Sequence, residues 1–312
     1  MRGSRRCCPE GVHTLPGVPE ASVPEILRTS RLHFVSSYGT RGQTYEKSFP
    51  IHVARSEGLV HVTVVHSYCR HSDLELLNRS LCDAGLRLGA VLSPVLALAD
   101  LARRLSGPGM EPGTAPRLLV DVGATGTLVL LLEGDNVAAC RKVFAGAMDW
   151  LRSPTDGESD LEPETAAVIL EALTSGGPDL VARRLSDRGV PPEEVAALLE
   201  RIERSWDLLI GAVRQAIPGM TRAQDADEEE DAPPEDPAPP PVPGPIVLCG
   251  GGAAIVGFDD RARATLGVPC AVADPVALVA RQSRVQLPCS PAAFAACLGA
   301  RRCSPGSCWR WR

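Results

Sequence analysis

The sequence predicts an α/β protein, and three observations predict it. Two aliphatic runs, at 117–122 and 246–249, each break abruptly into a glycine loop. Between them, residues 192–217 place Val195, Leu198, Leu199, Ile202, Trp206, Leu209, Ile210, Val213 and Ile217 on one helical stripe, the pattern of a helix packed on a sheet. The first loop leads directly into a second aliphatic run, Leu128 to Leu132, so that strand, loop and strand follow without a break. An aliphatic strand running into glycine lets backbone N–H groups approach an anion closely, because no Cβ holds it away.

Taken in order, residues 1–22 are rich in Arg, Cys, Gly and Pro, show no period, and are expected to be a loose leader. A short helix is expected over 24–32. Segments 51–53 and 59–66 alternate and are β-branched, and they read as strands joined through Ser56-Glu57-Gly58. Residues 73–84 carry Leu74, Leu77 and Leu81 at helical spacing and stop at Gly85, a fitting C-cap. A strand over 86–91 follows, and Pro94 opens a helix running to 105, where Gly107-Pro108-Gly109 ends it. The hairpin at 117–132 continues into a third strand, 136–141, across a turn at 133–136. Helices are expected over 162–173 and 192–217. Residues 222–245 are acidic and then Pro-rich, a composition that cannot bury a core. A helix at 259–266, a short strand at 270–272 and a helix at 291–298 complete the series, with an unstructured tail over 301–312. No repeat of solenoid length is visible.

A chain of 312 residues, 44% hydrophobic and 22% charged, can form one large or two modest domains. Aromatics are only 4%, so the core rests on Leu, Val and Ala. The formal net charge of −6 is concentrated in eight acids between Asp225 and Asp236, without which it would be +2. The folded part is therefore near neutral and lacks the basic stripe that nucleic-acid binding requires. The eleven cysteines are scattered, with no CxxC pair and no apolar leader before them, and they read as reduced thiols of a cytoplasmic protein. No apolar run reaches the roughly 20 residues of a membrane helix, so direct membrane insertion is not expected. His61 and His66 are an odd number of positions apart, on opposite faces of one strand, and are expected to be half-exposed rather than metal ligands.

Two constellations carry chemistry. Asp121 stands at the end of the first aliphatic strand, before Gly123-Ala124-Thr125-Gly126-Thr127. Two readings fit it. In one, the carboxylate holds a Mg²⁺-bound water while the following amides and hydroxyls meet phosphate oxygens. In the other, the segment is a hairpin turn capped by Asp. Gly250-Gly251-Gly252 either opens a helix facing a nucleotide or makes a tight strand-to-helix turn. It is neither a dinucleotide fingerprint, since the spacing is not GxGxxG, nor a P-loop, since no Gly-Lys-Ser/Thr follows. No Gly-x-Ser-x-Gly elbow and no Cys–His arrangement occurs.

Together these segments resemble the actin-like ATPase superfamily, and within it the PilM-type pilus-assembly proteins related to the cell-division protein FtsA. Leu119 to Thr127 is similar to that family's second phosphate loop and its hairpin. Val247 to Ala253, continuing to Gly257-Phe258 and Leu266-Gly267-Val268-Pro269, is similar to the adenosine motif, and Asp274-Pro275 to its strand-ending Asp-Pro. The strand, helix and Ala-rich helix upstream resemble the small inserted subdomain and its return. The likeness spans residues 24–300. Nothing in 1–30 resembles the first phosphate loop, so the chain is expected to begin after it. The region 141–192 is compressed, and the helix that usually supplies an acid and a Lys to the ribose has no match. These departures argue against ATP turnover.

The resemblance implies an actin-like, ribonuclease-H-like α/β fold, N-terminally incomplete. Its expected parts are a leader to 22, a small α+β subdomain over 23–92, a core over 93–221, an acidic and Pro-rich loop over 222–245, the adenosine-motif part over 246–300 and the tail. It implies ATP and Mg²⁺ as ligands, held by Asp121, Gly123, Ala124, Thr125, Gly126, Thr127, Gly250, Gly251 and Gly252, with Asp121 binding Mg²⁺ through water. It implies a cytoplasmic component of a type IV pilus or related secretion platform, peripheral at the inner membrane. There it would dock through its small subdomain on the short cytoplasmic tail of a membrane partner, or associate with itself. Two other readings stand beside this: a degenerate scaffold that binds no nucleotide, and a sugar or acetate kinase of the same superfamily. The kinase reading lacks the substrate-binding insertion and catalytic Asp such enzymes carry.

Overall fold

Two sheets carry the fold. The computed structural model describes residues 10–29, 44–56, 59–88, 90–105, 117–133, 136–151, 163–221, 242, 244–273 and 309–310. The first sheet has three antiparallel strands: β1 (Glu10–Pro19), β2 (Thr44–Ser56) and β3 (Leu59–Arg70), in the order β1-β3-β2. Its central strand is the β-branched run seen in the sequence, and Val60, Val62, Val64 and Val65 are buried in it. A short helix α1 (23–29) brings Val23 and Leu27 against Val60, Val62 and Val64.

Helix α2 (His71–Asp83) follows and ends at Gly85, whose φ is 74°. The Gly85 amide donates to the Cys82 carbonyl at 2.9 Å and that of Leu86 to the Leu81 carbonyl at 2.8 Å, a glycine-closed C-terminus. Strand β4 is only Ala90–Val91, and helix α3 (Pro94–Leu105) starts three residues later.

The second sheet contains β5 (Arg117–Val122), β6 (Thr127–Glu133), β7 (Asn136–Val143), β8 (Ile246–Cys249) and β9 (Cys270–Val272) in the order β7-β6-β5-β8-β9. β5, β6 and β7 form an antiparallel meander, whereas β8 and β9 join parallel to β5. Both faces are covered, which explains the unbroken aliphatic runs of β5 and β6. Leu118, Val120 and Val122 face helices α4 (Pro163–Ser186), α5 (Pro192–Ala216) and α7 (Phe258–Leu266), the short α6 (Pro218–Thr221) lying between α5 and β8. Leu119, Leu128, Leu130 and Cys249 face α3, together with Val65 of the first sheet. A ring cluster of Trp150, Trp206 and Phe258, with centroids 5.6–5.8 Å apart, fastens the 3-10 turn Ala147–Leu151 to α5 and α7.

Four expectations are corrected. Residues 10–19, read as part of a loose leader, form β1 and pair with β3; Gly11, Pro16, Gly17 and Pro19, with a register shift between Leu15 and Val18, interrupt the alternation that would mark a strand. The helix expected over 162–173 continues to Ser186 through a kink at Gly177 (φ 70°). The chain turns at Gly177, and Pro178 sits at the start of the second helical half, where its missing N–H is harmless. Within the expected tail, Trp309–Arg310 form β10, antiparallel to β4. His66, expected half-exposed, is 1% exposed and its Nδ1 lies 2.7 Å from the Ser48 hydroxyl. The acidic stretch and the helix at 291–298 lie outside the described residues.

Candidate functional site

β5 and β8 are adjacent and parallel, with Leu118 opposite Ile246 and Asp121 opposite Cys249. Two glycine loops more than a hundred positions apart therefore leave the same end of one sheet. In open parallel sheets the crevice beyond the carboxyl ends of the strands is where ligands bind. Asp121 and the Gly250-Gly251-Gly252 segment meet there.

The three glycines differ in what they do. Gly250 has φ 87°, and a Cβ on it would strike Asp121 Oδ1 and the Val122 carbonyl. It is glycine for conformation and for closeness to Asp121. Gly251 is exposed, and nothing approaches the place of its missing Cβ within 4 Å. Gly252 is buried and packs its Cα on Val122 and Trp150. The segment opens a one-turn 3-10 helix, Gly252–Ala254, and the longer α7 starts only at Phe258. Of the two sequence readings, the tight turn describes this backbone.

The first loop is a hairpin tip. The Gly123 amide donates to the Gly126 carbonyl at 3.1 Å, closing it. Ala124 and Thr125 are exposed, and among the described residues their amides donate to nothing. A second layer, unmarked by any motif, supports this tip: the Ala147 and Met148 amides donate to the carbonyls of Gly123 and Ala124 at 2.9 and 2.8 Å. Gly146 completes it; a Cβ there would lie 2.5–2.6 Å from Gly126 N and the Ala124 and Gly123 carbonyl oxygens. Its own amide donates to Asp149 Oδ2 at 2.8 Å. The signal was a lone glycine in Phe144-Ala145-Gly146-Ala147, too weak to single out.

Thr127 departs from the role expected of it. It is 0% exposed, and its hydroxyl donates to the Ala145 carbonyl at 2.9 Å. β-strand alternation at the start of β6 turns this side chain inward, where it ties the hairpin to the 144–149 loop instead of presenting a hydroxyl outward.

Asp121 is mostly buried at the end of β5, and burial pushes its carboxyl above the ordinary carboxylate range, offset in part by the Cys249 thiol 3.9 Å from Oδ1. The Cys249 thiol is held well up by burial and by the Asp121 charge, so it stays protonated. No cationic side chain offsets the Asp121 charge among the described residues. A cation is the group that an isolated buried carboxylate at a strand end would best accommodate. A Mg²⁺-bound water fits that chemistry.

No protein-family model matches the chain, and no curated protein matches its sequence. Solved structures do match. The fold is that of the actin-like ATPases, with the five-stranded sheet covered on both faces as described. The likeness extends over 95% of this chain to a structure described as the PilM-PilN type IV pilus biogenesis complex, at 20% identity, a TM-score of 0.58 and 76% of that chain. Looser overlaps are with the ethanolamine utilization protein EutJ from Carboxydothermus hydrogenoformans (15% identity, 74% of this chain, 61% of that one, TM-score 0.40) and with MreB5 of Spiroplasma citri bound to AMPPNP (16%, 65%, 56%, 0.36). These two do not bear on function.

Proposed function

We propose that this protein is a PilM-like cytoplasmic component of a type IV pilus or related secretion platform, peripheral at the inner membrane. The observation that supports this reading is the likeness to the PilM-PilN complex over nearly the whole chain. Among the described residues no helix is long and apolar enough to cross a membrane, which accords with attachment through a partner. The partner would be an inner-membrane protein whose short cytoplasmic tail docks on the subdomain built by β1, β2, β3 and α2. Fluorescence anisotropy with labelled cytoplasmic tails of the pilus and secretion membrane proteins of the same genome tests this. One tail should bind saturably, and failure of every tail overturns the reading.

ATP with Mg²⁺ is the ligand proposed for the end of the β5–β8 pair. Asp121 would hold the metal through water, the free amides of Ala124 and Thr125 and the Gly123–Gly126 turn would meet phosphate, and Gly251 would leave room beside the adenosine. The inward Thr127 favours a second reading, a scaffold of the same fold that binds no nucleotide. A fluorescent ATP analogue separates the two. Mg²⁺-dependent binding lost in Asp121→Ala supports the first, whereas no binding to the folded protein with or without Mg²⁺ supports the second.

A further inference from the structure

Strand register brings one more charged residue to the end of the five-stranded sheet. Asp121 stands opposite Leu128, and Leu128 opposite Lys142, so the three form one row across β5, β6 and β7. Directly paired residues share a face of a sheet. Leu128 packs on the face covered by α3, as does Cys249, the partner of Asp121 in β8. Lys142 is therefore on the Asp121 face, two strand spacings away, about 10 Å.

The half-buried side chain of Lys142 runs toward the hairpin tip. Its Cε lies 3.3 Å from the place of a Cβ on Gly126, so the glycine lets the lysine chain lie close across the tip. Its Nζ stands 5.8 Å from the ring centre of Phe144, which is 77% exposed just beyond the end of β7; the ring steadies the ammonium weakly and leaves it open to solvent. Among the described residues no carboxylate pairs with that ammonium. The same tip carries the Ala124 and Thr125 amides, exposed and donating to nothing among the described residues. An ammonium without an acid beside unused N–H groups is a seat for an anion.

The strand order gives that seat a direction. Across the sheet come β8 with Gly251 beyond its end, β5 with Asp121, then β6, then β7 with Lys142. On the nucleotide reading, on which this inference rests, adenosine lies by Gly251 and the metal by Asp121, so the phosphate chain extends over β6 toward β7. We infer that Lys142 binds the terminal phosphate of a nucleoside triphosphate and makes the site prefer a triphosphate to a diphosphate.

Isothermal titration of the full chain with AMPPNP and with ADP, each with Mg²⁺, tests this. The wild type should bind AMPPNP about tenfold more tightly than ADP, the worth of one charge-assisted contact. Lys142→Met, which keeps length and packing, should weaken AMPPNP about tenfold and ADP by less than about twofold, with an unchanged circular-dichroism spectrum. Lys142→Gln serves if the Met variant does not fold, and Lys142→Arg should retain the preference. Arg141, opposite Val129 on the other face, is the control for charge alone: Arg141→Met should leave both affinities within about twofold. Wild-type AMPPNP affinity in Lys142→Met, an equal loss for the two nucleotides, or the same loss in Arg141→Met overturns the inference and leaves the nucleotide reading standing. Absence of binding of either nucleotide to the wild type overturns both.

Discussion

Gly250, the first residue beyond β8, sets its bare Cα directly against the carboxylate of Asp121 on the adjacent parallel strand, where Asp121 stands opposite Cys249. The contact explains the first glycine of the triplet and the burial of the acid at once. It also fixes how far apart the two glycine loops can stand.

Gly250→Ala should be strongly destabilising. The residue has φ 87°, which alone costs a non-glycine residue about 1–2 kcal/mol, and the added Cβ overpacks against Asp121 and Val122, about 1–3 kcal/mol more. Urea denaturation should show a loss of about 2–5 kcal/mol. Adding Asp121→Ala should recover part of it, since one of the two clashes is relieved. A loss no larger than that of a surface substitution would rule out the contact.

Asp121→Asn should stabilise the protein as pH rises. The carboxyl is held above its ordinary range by burial, so the neutral form is preferred in the fold. That contribution is present below the ordinary carboxylate pKa and is lost as pH increases through the raised folded value. Thermal midpoints of the variant relative to the wild type should therefore climb between pH 4 and pH 7.5, measured without Mg²⁺. A constant difference across that window would contradict the burial argument.

Phe258→Ala removes one ring from the cluster with Trp150 and Trp206 and should lose about 3–5 kcal/mol by denaturant titration. Phe258→Leu should lose less. In a double-mutant cycle, Trp206→Ala and Phe258→Ala should couple by about 0.5–3 kcal/mol; additivity would mean the rings are not mutually supporting.

Thr127→Val separates stability from ligand binding. Loss of the hydroxyl leaves the Ala145 carbonyl without its donor and should lower stability by about 1–3 kcal/mol. The affinity of the folded variant for the ATP analogue should not change. Unchanged stability with lost affinity would restore the phosphate-facing role that the sequence suggested.

Arg261→Ala, by contrast, should matter little. Its guanidinium bridges Asp207 at 2.6 and 2.8 Å, but on the surface, where such pairs contribute about 0–1 kcal/mol. The small loss should shrink further in 1 M salt.

What the sequence determined by itself was local. Aliphatic runs gave β5, β6 and β8 away, because strands covered on both faces need apolar residues at every position. The stripe from Val195 to Ile217 located α5 because one helical face alone is buried. The glycine loops were legible as breaks in those runs. The tertiary structure alone decided that Asp121 and Cys249, 128 positions apart, are partners, since nothing local encodes which strand lies beside which. It also decided that residues 10–19 form a strand, and that Thr127 turns inward while Ala124 and Thr125 turn out. It gave the three consecutive glycines of the triplet three different surroundings. Periodicity records how one segment divides itself between core and solvent; a neighbour's identity is set by the joint packing of segments far apart, and only the assembled sheet contains it.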